Sequence, residues 1–306
     1  MAAVPPRAAR GALRRRDLLH AAAGSALFLG ASPARLRAQS APPRSAVDRV
    51  PLGKTPIKIT RLGIGTGSQG GKVQRDLGEE GFTKLVRHAW DRGIRYIDTA
   101  DNYKIHGLVR KAIQGLPREE LILLTKMKWD PLPDVARELD RFRAELGVDY
   151  FDIVLVHCVQ KESWPADLEK MRDGLSAAKE KGIIRAVGSS AHGLPGLRGS
   201  AGCPWIDVQL VRVNHNGRHM DGPTGTWAEA GDAPAAWAEI RKIHDAGKGV
   251  LGMKLIGNGD FTDAADREKA MQAVVASGCV DAMTIGFKSA AEIDEAIERM
   301  NRALNG

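Results

Sequence analysis

Short apolar runs recur along the chain from Leu62 onward, and helix-like segments separate most of them. Runs rich in Val, Ile and Leu are typical of strands that are buried on both faces of a parallel sheet. Eight such runs alternating with helices predict an α/β fold, a closed (β/α)8 barrel of the TIM type. The predicted strands span residues 61–67, 94–100, 121–127, 151–157, 184–190, 207–214, 250–256 and 282–287.

A doubly wound open sheet is the competing α/β architecture. It would need a Gly-x-Gly-x-x-Gly turn after the first strand, whereas this chain reads GIGTGSQGG, with Gly-x-Gly-x-Gly spacing. The barrel is therefore favoured, over residues 50–306. Before it, the segment PLGKTPIKI has a turn at Gly53 and Lys54 and predicts a short N-terminal β-hairpin that plugs the barrel floor.

Ionisable side chains lie at the ends of three consecutive predicted strands. Asp98 ends the second strand, Lys126 lies near the end of the third, and His157 ends the fourth. Tyr103, one of only three tyrosines in the chain, follows Asp98 in a polar loop. Because the chemistry of TIM barrels gathers at the C-terminal ends of the strands, these four side chains are predicted to share one pocket.

The chemistry of these four residue types is complementary. A pair between Asp98 and Lys126 would offset the cost of burying either charge alone. The Lys126 cation would favour the phenolate of Tyr103 and lower its pKa from the usual value of about 10. Tyr103 would then act as an acid, while His157 donates a hydrogen bond where a carbonyl oxygen becomes an alkoxide. The alternative is a structural ion pair beside an unrelated tyrosine and a core histidine.

The segments YIDTADNY, LLTKM, DIVLVH, RAVGSS and TIGFKSAAEI resemble the aldo-keto reductases, over essentially all of residues 50–306. The resemblance matches Asp98, Tyr103, Lys126 and His157 to the catalytic residues of the family one by one. It implies transfer of a hydride from NADPH to the carbonyl of a small-molecule aldehyde or ketone. In that reaction Tyr103 protonates the oxygen, Lys126 and Asp98 tune Tyr103, and His157 orients the carbonyl.

The nicotinamide-binding positions match the family less closely. The resemblance places Ser190 at the nicotinamide amide, but the asparagine usual beside it is Ala191. Aligning DVQLVRVN without gaps puts Leu210 at the family's glutamine and Val213 at its stacking aromatic, with Gln209 one position away. Gln209 faces the cofactor only if a bulge turns it inward, and otherwise it is an ordinary strand residue.

Features suited to phosphate occur at other strand ends. Lys254 precedes the glycines of IGNG, whose backbone amides would approach a pyrophosphate. Lys288 and Ser289 begin the last predicted helix, whose N-terminus suits an anion, and Ser289 has capping-box spacing to Glu292. By the resemblance, a lysine at this place pairs with the 2′-phosphate and favours NADP(H) over NAD(H). The expected cofactor ligands are Gly65, Thr66, Ser190, Gln209, Lys254, Gly286, Lys288, Ser289 and Glu292.

The first 40 residues have the order of an export signal, with Arg15 and Arg16, an apolar stretch from Ala21 to Ala34, and then small residues. This stretch is too short to span a membrane. Paired arginines indicate the twin-arginine translocation machinery as a partner and a periplasmic or extracellular location. A basic tail or a wrongly assigned start codon is the alternative. Residues 41–49 are predicted to form a linker rich in Pro and Ser.

The net charge of +8 does not indicate nucleic-acid binding, because residues 1–40 contribute +6 of it. Cys158, Cys203 and Cys279 are widely spaced, form no CxxC metal motif, and are expected to be buried as small apolar residues.

Two histidine-containing loops allow more than one interpretation. His215, His219 and Asp221 have a spacing that zinc can use, but a polar loop over the pocket is favoured and no metal is expected. His192 follows the fifth strand and is either a substrate-pocket residue or a solvated histidine.

Two other functions remain open from the sequence. A Schiff-base aldolase would use Lys126 as its nucleophile, which leaves Tyr103 and the Lys288–Ser289 site without a role. An exported nucleotide-binding protein with a regulatory or partner-binding role would keep the same fold without hydride transfer. The missing stacking residue and the export signal both slightly favour this second alternative.

Overall fold

Eight parallel strands close into a barrel in the order of the chain, and the last of them pairs with the first. The structure is a computed structural model that describes residues 43–226 and 229–306, so the predicted export signal lies outside the described residues. The closed barrel confirms the predicted (β/α)8 fold. In these described residues the strands are β1 Arg49–Pro51, β2 Lys58–Thr60, β3 Leu62–Gly65, β4 Tyr96–Asp98, β5 Ile122–Met127, β6 Phe151–Val159, β7 Ile184–Ala191, β8 Val208–Arg212, β9 Gly249–Met253 and β10 Ala282–Ile285, of which β3–β10 form the barrel.

Four of the helices, α4, α8, α9 and α10, begin after a side chain that caps them. The Asp134 side chain accepts a hydrogen bond from the Arg137 amide at the start of α4, and Gly147, with φ of 67°, ends that helix. Ser289 caps α10 in the same way, as its spacing to Glu292 predicted. The helices are α1 Lys72–Asp76, α2 Gly78–Asp91, α3 His106–Ile113, α4 Val135–Leu146, α5 Trp164–Asp167, α6 Glu169–Glu180, α7 Leu194–Ala201, α8 Ala233–Asp245, α9 Ala264–Ala276 and α10 Ala290–Asn305.

The N-terminal hairpin is present and lies against the interior of the barrel. β1 and β2 pair antiparallel, with Val50 opposite Ile59. Leu52, Ile57 and Ile59 are fully buried and belong to the same apolar cluster as the inward-facing residues of the barrel strands. Gly53 turns the chain with φ of 50°, and a Cβ there would collide with the backbone of Gly249. The hairpin therefore plugs the floor, as predicted.

Inward-facing side chains follow a strict alternation along the barrel strands. Tyr96, Leu124, Leu155 and Leu210 lie in the inner apolar cluster of β4, β5, β6 and β8. Successive side chains of a strand point to opposite faces, so the residues two positions later face inward as well. Those residues are Asp98, Lys126, His157 and Arg212, near the C-terminal ends of their strands. The fold thus places four ionisable side chains around the barrel mouth, above an apolar interior.

The residues just before the hairpin pack against the barrel. Ala46 is fully buried, and its amide donates a hydrogen bond of 2.7 Å to the Asn301 side chain in α10. Its carbonyl accepts a hydrogen bond of 2.9 Å from the amide of Leu62 at the start of β3. Across residues 43–226 and 229–306, no helix combines the length and the apolar character that a membrane span requires.

Candidate active site

The structure brings together all four residues predicted to be catalytic. Asp98 ends β4, Lys126 lies in β5 and His157 in β6, and all three are buried. Tyr103 ends a single 3-10 turn directly after β4 and is half-buried. Its ring meets that of His157 edge to face, at a centroid distance of 5.5 Å.

Lys126 is the centre of this group. Its ammonium forms a buried ion pair with Asp98 and donates a hydrogen bond of 3.0 Å to the Thr99 carbonyl. The same nitrogen lies 3.4 Å from the Tyr103 hydroxyl. Burial works against the Lys126 charge, but the charges and hydrogen bonds of Asp98 and Tyr103 outweigh it and raise its pKa. Lys126 is therefore an ammonium at neutral pH.

The protonation of Tyr103 differs from the expectation based on sequence. Burial raises the pKa of Tyr103 to about 12, and the Lys126 cation offsets only part of that effect. The expected net lowering of the pKa is therefore wrong for this structure, because loss of hydration outweighs one neighbouring charge. A phenol with this pKa keeps its proton at neutral pH and can donate it to a strongly basic oxygen.

His157 is neutral at neutral pH. Burial, followed by the charge of Lys126, lowers the pKa of His157 well below its usual value. A neutral imidazole still has one N–H group to donate. His157 can therefore donate a hydrogen bond to a carbonyl oxygen beside Tyr103 without adding a second buried cation.

Neighbouring backbone fixes the loop that carries Tyr103. Arg75 donates a hydrogen bond to the Tyr103 carbonyl, and Lys104 takes a left-handed conformation with φ of 53°. Asp101, at the start of the turn, accepts a hydrogen bond of 3.0 Å from Arg141 in α4. A Cβ on Gly67 would lie 2.7 Å from the Tyr103 hydroxyl, so this glycine lets the loop after β3 approach the phenol.

A cleft of about 520 Å³ extends from the ion pair to the start of α10. Its lining includes Asp98 and Tyr103 at one end and Lys288 and Glu292 at the other. The predicted cofactor ligands Gly65, Lys254 and Gly286 also line it. This volume is in the usual range for a cofactor or ligand site, which is about 300–1,000 Å³.

The residues present in this cleft fit a nicotinamide dinucleotide. A Cβ on Gly286 would collide with the Ser68 side chain, and one on Gly65 would lie 2.8 Å from Thr284 Oγ1, so the two glycines allow the strand ends and the loop after β3 to pack closely along the cleft. Lys254 and Lys288 supply positive charge along the wall. The N-terminus of α10, a helix of 16 residues, lies at the far end and suits a phosphate.

A model of the Aldo/keto reductase family matches residues 61–218, which is half of the chain. The chain belongs to the aldo/keto reductase family. This finding agrees with the resemblance inferred from the sequence.

Curated relatives match this aldo/keto reductase over shorter stretches. The NADH-specific methylglyoxal reductase of Escherichia coli is 27% identical over 167 residues, which cover 46% of this chain and 51% of the relative. The glycerol 2-dehydrogenase (NADP(+)) of Saccharomyces cerevisiae is 36% identical over 142 residues, which cover 44% of this chain and 40% of the relative. The chain thus spans about half the length of the curated relatives it matches.

Solved structures of aldo-keto reductases share the fold. The enzyme of Klebsiella pneumoniae in complex with NADPH superimposes with a TM-score of 0.63 at 15% identity, over 83% of this chain and 89% of that one. The holo form of an enzyme from Bacillus halodurans gives a TM-score of 0.65 at 17% identity, over 84% and 95% of the two chains. At these identities the comparison establishes the barrel alone.

One expected cofactor ligand of this aldo/keto reductase points away from the mouth. Gln209 is fully buried, and its side-chain oxygen accepts a hydrogen bond of 2.7 Å from Ser189. Ser189 in turn bonds Ser200 of α7, on the outer side of the barrel wall. β8 has no bulge at this point, since Gln209 pairs regularly with Ser189 and Val250. The prediction that Gln209 binds the cofactor is therefore corrected.

Thr66, Ser190, Ser289 and Glu292, four further predicted ligands, have partners within the protein. The Thr66 hydroxyl donates a hydrogen bond of 3.0 Å to the Asp98 carbonyl, beneath the ion pair. Ser190 is buried, and its hydroxyl accepts a hydrogen bond of 3.0 Å from the Cys158 amide. Ser289 caps α10 by accepting from the Glu292 amide, while the Glu292 carboxylate accepts a bond of 2.7 Å from the Lys288 amide.

Sequence reasoning did not find Arg212, although its side chain is buried at the mouth. Its Nε and Nη2 atoms donate hydrogen bonds of 2.9 and 2.6 Å to one oxygen of Asp221. Asp221 is fully buried and also accepts a hydrogen bond of 2.6 Å from the Gly193 amide. The available signal was a charged residue inside the apolar run DVQLVRVN, two positions after Leu210.

The histidines and cysteines near the mouth have separate environments. His219 contacts Asp260, whereas His215 packs on the Phe261 ring, so neither converges with Asp221. His192 is buried, and burial, followed by the charge of Arg212, lowers its pKa well below the usual value. All three cysteines are free thiols, with Cys203 and Cys279 buried and Cys158 half-buried beside His157.

Proposed function

We propose that this protein is an NADP(H)-dependent oxidoreductase that reduces a small-molecule aldehyde or ketone to an alcohol. One observation carries the proposal: a protonated tyrosine, Tyr103, lies 3.4 Å from the buried ammonium of Lys126 and against the neutral ring of His157. A carbonyl oxygen placed between Tyr103 and His157 would meet a proton donor and a second hydrogen-bond donor. The cleft that begins at Tyr103 leads to the predicted cofactor residues.

Tyr103, Lys126 and His157 have distinct roles in this proposal. A reduced nicotinamide, when bound, supplies the hydride that the carbonyl carbon receives. Tyr103 donates its proton to the carbonyl oxygen as negative charge develops there. Lys126 stabilises the resulting phenolate, and Asp98 holds Lys126 in place and compensates its charge in the dry interior. His157 donates an N–H bond to the same oxygen and orients the carbonyl.

The proposed cofactor site extends from the barrel mouth to α10. Gly65 and Gly286 line the cleft at the strand ends, Lys254 faces the pyrophosphate, and the α10 N-terminus with Lys288 holds the 2′-phosphate of NADP(H). The relatives differ in this respect, because one is named as NADH-specific and another carries NADP(+) in its name. The positive charge of Lys288 supports NADP(H), whereas Glu292 beside it works in the opposite direction.

The state of Lys126 argues against a Schiff-base aldolase. Such an enzyme needs an unprotonated amine as its nucleophile. The raised pKa of Lys126 and its ion pair with Asp98 keep the nitrogen protonated. A nucleotide-binding protein without catalysis would not need a proton donor beside a buried ammonium, and the test below separates that function from carbonyl reduction.

We also propose that the protein is exported by the twin-arginine route to the periplasm. The support is the sequence alone, with Arg15 and Arg16 ahead of a short apolar stretch. Residues 50–306 would then be the exported barrel.

Substitution of Tyr103 by Phe tests the proposed activity. Stopped-flow measurement of NADPH oxidation with a panel of aldehydes and ketones gives the rate of hydride transfer, and NADPH fluorescence gives cofactor affinity. We expect Tyr103→Phe to lower the rate by about 10²- to 10⁴-fold, the usual value of a positioned proton donor, with little effect on NADPH binding. If the wild type binds NADPH tightly but reduces no carbonyl in the panel, the nucleotide-binding alternative replaces the proposed activity.

A further inference from the structure

Arg212 occupies the same inward layer of the barrel as the proposed catalytic residues. It follows Leu210 by two positions on β8, as Lys126 follows Leu124 on β5 and His157 follows Leu155 on β6. Arg212 pairs with Met253 on β9, and Met253 lines the cleft. The alternation that directs Lys126 and His157 to the mouth therefore directs Arg212 there as well.

The guanidinium of Arg212 is fixed in orientation but only partly engaged. Its Nε and Nη2 atoms both donate to Oδ1 of Asp221, and Nη1 donates to none of the residues that the structure describes. Asp221 is held in turn by the Gly193 amide at 2.6 Å, which fixes the arginine from the loop above. A guanidinium has five N–H groups in a planar fork, so part of its capacity remains for a ligand.

The cations around the mouth are engaged by different partners. Lys126 is compensated by Asp98 and Arg212 by Asp221, whereas Lys254 forms its hydrogen bond of 2.8 Å with the neutral amide of Asn258. The charges of Arg212 and Lys126 both act on Cys158, His192 and Lys254, which places these groups around one space. Because the proposed cofactor site engages Lys254 and the Lys126 ammonium already has three partners, Arg212 is the cation of this space that keeps N–H groups for an anionic substrate.

We propose that the carbonyl substrate carries a carboxylate group and that Arg212 binds it. The inference rests on the proposed carbonyl reduction and adds the class of substrate, which is an aldehyde or ketone that also carries a carboxylate group. A planar carboxylate suits the guanidinium fork, and Asp221 keeps that fork facing the mouth. The carbonyl carbon receives the hydride of the reduced nicotinamide, Tyr103 supplies the proton to the oxygen, and the carboxylate leaves unchanged as part of a hydroxy acid.

Matched pairs of aldehydes test the inference. The pairs are succinic semialdehyde with butanal, and 4-carboxybenzaldehyde with benzaldehyde, each reduced with NADPH. The variants are Asp221→Asn and the double variant Arg212→Met/Asp221→Asn, which removes both charges and so leaves no buried charge without a partner. Calorimetric titration of benzoate in the presence of NADP+ measures binding of the carboxylate without turnover.

We expect the wild type to prefer the acid of each pair in kcat/KM. The double variant should lose about 10- to 100-fold of that preference, the usual value of hydrogen bonds to a charged group, and should no longer bind benzoate. Asp221→Asn keeps the Arg212 charge and should retain benzoate binding.

Two results would overturn the inference: equal kcat/KM for both members of each pair in the wild type, or an equal loss for both members in the double variant. The second would mean that the Arg212–Asp221 pair only supports the loop. If the wild type reduces neither aldehyde of a pair yet binds benzoate through Arg212, the proposed reduction fails and the carboxylate site stands.

Discussion

The ammonium of Lys126 lies 3.4 Å from the hydroxyl of Tyr103 and joins a barrel strand to the loop that follows the neighbouring strand. The two side chains differ in exposure, since Lys126 is buried and Tyr103 is half-buried. A ligand can therefore reach the phenol, while the charge that stabilises its conjugate base stays out of water.

The position of the Tyr103 ring depends on a glycine outside the catalytic group. In Gly67→Ala the new Cβ would lie 2.5 Å from the Tyr103 ring, which must move. A displacement of about 1 Å costs on the order of 10²-fold in rate, so we expect such a loss in kcat for carbonyl reduction. Gly107→Ala is the matched control, because nothing lies within 4 Å of the added atom. Equal activity of the two variants would show that the ring tolerates the shift.

Lys288 should discriminate between the two dinucleotides. We expect Lys288→Ala to weaken NADPH binding by about 1–2 kcal/mol, a value reduced for the exposure of this side chain, or about 5- to 30-fold in Kd. NADH binding should change little, because NADH lacks the 2′-phosphate. Fluorescence titration with both nucleotides measures the effect, and Lys170→Ala, an exposed lysine of α6, is the control. An equal loss for both nucleotides would remove Lys288 from the 2′-phosphate site.

The buried histidines should make the folded state sensitive to acid. The pKa of His157 is lowered on folding, so the folded state binds fewer protons than the unfolded state once the pH falls below about 6.5. The free energy of unfolding should therefore fall as the pH decreases from 7 to 5, by up to about 1.4 kcal/mol per pH unit for this residue. His192 should add a similar slope.

Urea unfolding at several pH values measures this dependence. His157→Asn should reduce the slope and leave the part due to His192 and to His106, whose pKa burial also lowers. An unchanged slope in this variant would place the acid sensitivity elsewhere.

The proposed export makes a separate prediction about the first residues. Arg15→Lys/Arg16→Lys should keep a folded, nucleotide-binding protein in the cytoplasm, because the twin-arginine route carries folded proteins and depends on the paired arginines. Fractionation of cells and immunodetection of each fraction measure the distribution. Nucleotide bound before transport would stabilise the folded state by RT ln(1 + [L]/Kd). Normal export of the double variant would rule out the twin-arginine route.

Much of the fold could be predicted because its signals are local. The eight strands are apolar runs whose two faces are both buried, and α4, α8, α9 and α10 each begin after a capping Asp or Ser that is visible in the sequence. The catalytic group was visible for the same reason: Asp98, Lys126 and His157 are charged or polar residues at the ends of apolar runs, where a barrel collects them.

The remaining features depend on contacts between distant segments. Alternate residues of β8 point into the barrel, and either Gln209 or Arg212 belongs to that inward set. The choice is set by the pairing of Gln209 with Ser189 and of Arg212 with Met253 on the neighbouring strands. The pKa of Tyr103 depends on how closely the loop after β3 covers its ring, which no residue near Tyr103 in the sequence reveals.

The plugged floor has an electrostatic consequence for the opposite end of the barrel. Leu52, Ile57 and Ile59 belong to the apolar cluster that fills the interior below the ionisable layer. The region on that side of Lys126 and Arg212 therefore has a low dielectric constant. Walls of low dielectric constant focus field lines toward the solvent opening instead of spreading them in all directions. The hairpin at the floor thus strengthens the electrostatic potential that an approaching molecule meets at the mouth, at the other end of the barrel.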